Sequence, residues 1–111
     1  MVKAGAARRF DVYLVSLDPT VGSEIRKTRP CVVVSSEEMN QHIRTVLVAP
    51  LTSKGTAYPI RVASRLGGRP GQVVLDQLCA VDVQRLTKCL RTLSPSARAA
   101  VLSALSETFA P

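Results

Sequence analysis

The sequence predicts a mainly β fold closed by one C-terminal helix: a small, strongly bent barrel of five to seven short strands. Three observations carry this reading. Apolar runs are short and separated by Gly, Pro, Asp and Ser turn chemistry. Only the last segment of any length repeats its apolar residues at helical spacing. A chain of 111 residues with 46% hydrophobic content suits one domain, residues 1–111, with a core of modest depth.

"FDVYLVSL" (Phe10 to Leu17) reads as the first strand, ending at the turn signal Asp18-Pro19-Thr20. A polar loop from Val21 to Thr28 follows, then a strand from Pro30 to Ser35. Proline fits at the first position of a strand because it has no N–H to give a ladder. Ser35 and Ser36 with Glu38 resemble a capping box opening a short helix, Glu37 to His42. "RTVLVAPLTS" is the third strand and "KGTAY" a loop, with Tyr58 to Val62 as a fourth strand. "SRLGGRPG" is turn chemistry throughout. "QVVLDQLCAVD" is another β-run and "TKCLRTL" the last short strand. In "SPSARAAVLSALSETF", Ser94 is an N-cap, Pro95 stands at N1, and Ala97, Val101, Leu105 and Phe109 recur every fourth residue. These four are expected to face the core.

Fifteen Lys and Arg against eight acids give a net charge of +7 and a pI near 10.0. Such an excess points to phosphates, anionic surfaces or an acidic protein without choosing among them. Residues 1–9 are the only stretch that reads as a flexible basic tail. No apolar run approaches the ~18 residues of a membrane span, and no apolar segment follows the basic start as a secretory signal requires. A cytoplasmic protein with no membrane partner is therefore expected. Cys31, Cys79 and Cys89 lack metal-ligand or disulfide spacing and read as small core hydrophobes.

The chemistry is constrained by what is missing. With one histidine, His42, a two-histidine acid/base site within the chain is excluded, and no zinc, EF-hand or phosphate-loop pattern occurs. No metal or cofactor is expected. Any catalysis would fall to Arg, Lys, Ser, Thr and Asp, an inventory suited to phosphoryl transfer by charge stabilisation. Read from the residues alone, Arg29 is a strand-end charge pairing with Glu24, and Thr52-Ser53 before Lys54-Gly55 is an ordinary turn. Asp76 and Gln77, interrupting an apolar strand, suggest a bulge or a buried hydrogen-bond network.

Four stretches change that balance. "VSLDPTVGSEIRKTRPCVVVS", "VLVAPLTS", "VVLDQLCAVDVQRL" and the C-terminal helix together resemble, in order and spacing, the MazF/PemK/Kid family of toxin endoribonucleases. The resemblance runs from about Phe10 to Phe109. It implies an SH3-like barrel of the CcdB/MazF type, forming a homodimer. It further implies sequence-specific, metal-independent cleavage of single-stranded RNA to a 2′,3′-cyclic phosphate and a 5′-hydroxyl. The implied second partner is an acidic MazE-like antitoxin lying over the RNA groove.

On that resemblance Arg29, Thr52, Ser53 and Asp76 become the catalytic candidates. A pre-proline residue is held extended, so Arg29 offers its planar fork to phosphate oxygens from the rigid end of a strand. Asp76 is either a general base for the 2′-OH or structural. Glu24, Arg26, Lys27, Lys54, Tyr58, Arg61 and Gln77 are the expected RNA-binding residues, with Tyr13 a second stacking platform. The chain departs from the family where relatives commonly carry Gly (here Phe10). It departs again where one branch has a loop histidine (here Ser23) and an arginine beside the aspartate (here Val74). A CcdB-like gyrase poison and a non-catalytic nucleic-acid-binding barrel are the rival readings.

Overall fold

A computed structural model describes residues 5–16, 28–53, 61–66 and 68–111. Seven antiparallel strands form one strongly bent sheet: β1 (Asp11–Ser16), β2 (Thr28–Val33), β3 (Thr45–Thr52), β4 (Arg61–Leu66), β5 (Arg69–Val74), β6 (Cys79–Asp82) and β7 (Leu86–Thr92). Two helices join them, α1 (Glu37–His42) and α2 (Pro95–Thr108). The ladder runs β4-β5-β3-β2-β1-β7, with β6 also on β3. Its ends, β4 and β7, are not neighbours among the described residues, so the expected barrel takes the form of a bent, open sheet.

β3 is the hinge of this arrangement. One edge of it pairs with β2, while the other pairs first with β6, up to Val48, and then with β5, from Leu51. Pro50 sits where the partner changes. Having no N–H to give, it fits a position between two ladders.

Alternation along β1 to β3 divides the interior into two cores. Val12, Val32, Ala49 and Leu51 face α2, whose Ala97, Val101 and Ala104 complete a first cluster with Val62 and Val73. Tyr13, Val15, Cys31, Val33, Val46 and Val48 face the opposite way and meet Val81, Val83 and Leu86. A strand buried on both sides must be apolar almost throughout, which is why "CVVV" reads as a continuous run rather than an alternating one.

Several expectations need correction. Residues 7–9 are not a loose tail: Ala7 is buried in the second core, Arg9 Nε donates to the Val34 carbonyl at 3.0 Å, and the Arg9 amide donates to Glu37. The N-cap of α1 is Ser36, whose Oγ accepts from the Met39 amide at 3.2 Å, so the third helical position falls on Met39 and the capping box expected with Glu38 does not form. The "SRLGGRPG" stretch is mostly strand. β4 runs to Leu66 and β5 starts at Arg69, paired in register from Arg61↔Val74 to Leu66↔Arg69. A Gly-Gly pair permits a two-residue hairpin, and Gly68 has φ +85.

Phe109 is 72% exposed. Steps of four residues drift about 40° around a helix, and Phe109 lies beyond its last turn, so Ala104 takes the inward place instead. Tyr13 is 4% exposed in the second core, which removes it as a stacking platform. Of the cysteines, Cys31 is buried as expected and Cys79 partly so, but Cys89 is exposed.

Phe10 stands at φ +73, in the left-handed region that glycine enters without steric cost and a bulky residue does not. A glycine, which the family resemblance leads one to expect here, would adopt this φ without strain. Its ring packs against the first core and lies under two guanidinium groups, Arg9 at 5.2 Å and Arg98 at 5.9 Å from the centroid.

Candidate active site

The site lies where β2 begins and β3 ends, against the middle of the β4–β5 hairpin. Thr52 pairs with Gln72 and Gln72 with Ala63. Cys31 pairs with Pro50; continuing that register by two residues brings Arg29 level with Thr52. Leu51, Val73 and Val62, one position away on each strand, point into the core under α2. Because strand side chains alternate, Thr52, Gln72 and Ala63 must face the other way, with Arg29 on the face of Cys31.

A shallow hollow of about 300 Å³ opens on that face, lined by Thr52, Ser53, Arg61 and Gln72 with Ala63, Pro70 and Gly71. An adjoining hollow of about 340 Å³ shares Ala63, Pro70 and Gly71 and reaches Ser94 and Ser96 at the start of α2. Together they make a groove across the β4–β5 hairpin. Arg29 stands one strand beyond its lining. The residue as a whole is partly exposed, and no carboxylate among the described residues pairs with it. Thr28-Arg29-Pro30 begins β2, paired through Val15↔Arg29 with β1, so the backbone under this arginine is part of a ladder rather than a loop.

Asp76 and Gln77 lie in a single tight 3₁₀ turn, Leu75–Gln77, between β5 and β6. Both are exposed, so neither the bulge nor the buried network expected of them forms. Asp76 is held by Arg61: Nε donates to Oδ1 at 3.0 Å and Nη2 to Oδ2 at 3.2 Å. Arg61 reaches it diagonally, since it pairs with Val74 and Asp76 is two residues further on. The Arg61 guanidinium holds the Asp76 carboxyl below its ordinary value. Val74 itself is buried and apolar; the arginine beside the aspartate comes from the neighbouring strand.

Arg29, Thr52, Ser53, Arg61 and Asp76 are thus brought to one region of the sheet. Glu24, Arg26, Lys27, Lys54 and Tyr58 lie outside the described residues. Gln77 is placed on the turn but does not line the groove. Gln72 does, and was missed, because only the long-range register with Thr52 distinguishes it from any polar residue opening a strand. His42 ends α1 with Nδ1 2.7 Å from the Glu38 carbonyl oxygen, remote in the fold from this groove. Cys31 is chemically quiet, its thiol pushed up to about 12 by burial. Among the described residues, no three His, Cys, Asp or Glu side chains come together as a metal site. No helix among them is long and apolar enough to cross a membrane.

Comparison with known proteins agrees with this geometry. Residues 8–109 match the family described as PemK-like, MazF-like toxin of type II toxin-antitoxin system. The chain belongs to the PemK/MazF toxin family. Among curated relatives, this toxin is 36% identical over 86 residues to Endoribonuclease EndoA of Bacillus subtilis, covering 72% of the chain and 74% of the relative. It is 32% identical over 93 residues to Endoribonuclease MazF of Staphylococcus saprophyticus, covering 78% of each. The fold is that of a mycobacterial endoribonuclease solved in complex with its cognate antitoxin, with a TM-score of 0.78 at 23% identity over 92% of this chain and 93% of that one. Deinococcus radiodurans MazF superposes with a TM-score of 0.73 at 23% identity, covering 91% and 94%.

Proposed function

We propose that this toxin is an endoribonuclease that cuts single-stranded RNA at a short sequence without a metal ion. The ribose 2′-oxygen attacks the adjacent phosphorus, the P–O5′ bond breaks, and the products carry a 2′,3′-cyclic phosphate and a 5′-hydroxyl. The proton leaves the 2′-oxygen and one is gained by the departing 5′-oxygen. The observation that supports this most is the row of Arg29, Thr52 and Gln72, level with one another on the adjoining strands β2, β3 and β5, beside an open groove. In such a transition state negative charge spreads over the non-bridging oxygens. A planar, permanently charged fork on a rigid strand end is suited to those oxygens. A guanidinium has no lone pair to offer as a base, so Arg29 serves as stabiliser. Thr52 and Ser53 supply hydroxyl donors at the groove edge.

An acidic antitoxin tail that mimics the phosphate backbone would compete with RNA at this groove, drawn by Arg29, Arg61 and the net charge of +7. The relatives' names and the antitoxin complex of the mycobacterial endoribonuclease support this reading. A homodimer would present two such grooves related by its two-fold axis.

Incubating the protein with a long defined RNA in excess EDTA, then labelling new 5′ ends with a kinase without prior phosphatase, tests the chemistry. Cleavage with kinase-ready 5′ ends is expected. Strict dependence on Mg²⁺ or Mn²⁺, or 5′-phosphate ends, would refute it. Binding of RNA without any cleavage would favour a non-catalytic barrel.

A further inference from the structure

Asp76 invites the role of general base, but its surroundings argue otherwise. A base must stand within hydrogen-bond reach of the proton it takes. Both Asp76 oxygens are turned to Arg61, at 3.0 and 3.2 Å. Arg61 lines the groove with Thr52 and Gln72, whereas Asp76 does not. The carboxylate therefore stands behind the guanidinium as seen from the groove. The Arg61 side chain is 12% exposed and that of Asp76 34%, so the arginine is the more enclosed partner. A free arginine has about 2 kcal/mol of rotamer entropy to lose on binding. A bidentate carboxylate removes much of that cost beforehand by fixing the plane of the fork.

We propose that Asp76 is a positioning residue that holds Arg61 ready to grip a phosphate flanking the scissile one. Arg29 and Arg61 stand on β2 and β4, separated by β3 and β5. Three ladder steps set their backbones about 14 Å apart at the usual strand spacing, which leaves room for the two forks to take different phosphates. Arg61 then contributes equally to binding substrate and transition state, and its loss is read in KM rather than in kcat. Asp76 acts only through it.

This inference rests on the ribonuclease reading and is tested beside it. KM and kcat are measured for Arg61→Ala, Asp76→Ala, the double variant, Asp76→Asn and Arg61→Lys. Affinity for an uncleavable 2′-deoxy strand is measured at several salt concentrations. Arg61→Ala should raise KM about tenfold and reduce the salt slope of binding by about 0.7, the value for one phosphate on a single strand. Asp76→Ala should lose somewhat less, and the double variant no more than Arg61→Ala alone. Asp76→Asn, which keeps one acceptor, should lose about threefold, and Arg61→Lys should recover charge but only part of the affinity. The idea fails if Asp76→Asn drops kcat about 10²-fold at unchanged KM, as removal of a base would. Multiplying losses in the double variant would refute it equally. A wild-type protein that cleaves nothing would sink the ribonuclease reading, while affinity for the 2′-deoxy strand still decides the pair.

Discussion

Two arginines in the same region of the sheet are held in opposite ways. Arg29 is fixed from beneath: it opens β2 against Pro30, paired to Val15, and no carboxylate among the described residues touches it. Arg61 is fixed from the side, by a bidentate carboxylate from the next turn. Backbone placement leaves the whole fork for a ligand but does nothing to restrain it. Side-chain placement shares the fork but restrains it. A group meant to meet developing charge belongs to the first kind, and a group meant to dock a strand of RNA to the second.

The contrast breaks most sharply at Arg29. Arg29→Ala should fold normally, since the backbone pairing of β2 does not depend on the side chain. It should lose about 10²-fold or more in kcat, equivalent to roughly 2.7 kcal/mol, the scale of removing one transition-state donor. Arg29→Lys should remain poor, because a point charge does not replace a planar fork. Circular dichroism and thermal melting check the fold, and single-turnover rates check the loss. Near wild-type turnover in Arg29→Ala would reduce this residue to a strand-end charge. It would also remove the distinction between the two arginines.

How much of this was legible in the sequence follows the same division. Features set by neighbours in the chain could be read directly. These include Ser94 and Pro95 starting α2 and the doubly buried run after Pro30, although the strand begins at Thr28 and not, as expected, at Pro30. Thr52 ends a strand that local pattern outlined, but it became a catalytic candidate only through the family resemblance. Features set by register across the sheet could not be read. Gln72 joins the site only because β5 pairs with β3, and Arg61 meets Asp76 only because β4 pairs with β5 two residues short of the turn. The hairpin through "SRLGGRPG" was hidden for a related reason. Polar residues flanking Gly-Gly look like loop until they are seen pairing with one another at the sheet edge.

A second contrast between backbone and side-chain control lies at the other end of β1, and its expected effect is smaller. At Phe10 the backbone demands a left-handed residue and the core demands a ring. At an ordinary strand position glycine is worse than alanine by roughly 0.5–1 kcal/mol. Here the order should reverse. Phe10→Ala keeps the strained φ and loses the ring that Arg9 and Arg98 cover, whereas Phe10→Gly loses the ring but relieves the strain. Left-handed geometry costs an L-residue about 1–2 kcal/mol, so Phe10→Gly should be the more stable variant by about 1 kcal/mol in urea unfolding. Both should lie below wild type. Alanine proving the more stable would mean that φ at this position relaxes when the ring is removed.

The smallest effect expected is an absence of change with pH at the pair of Arg61 and Asp76. Asp76 is held below its ordinary value of 3.8, chiefly by the hydrogen bonds from Arg61. A group whose pKa is depressed on folding contributes its stabilisation above the unfolded value and loses it as pH falls through the folded one. The pair should therefore stay intact from pH 8 to pH 5 and open only below about pH 3.8. The group is largely solvated, so the associated change in stability should be slight. Carboxyl ¹³C shifts of Asp76, followed with the Arg61 Nε signal, report the opening directly. Both signals should move together with a midpoint below 3.8. A midpoint near 5 or higher would mean a carboxyl poised to take protons, and Asp76 would return to consideration as the base.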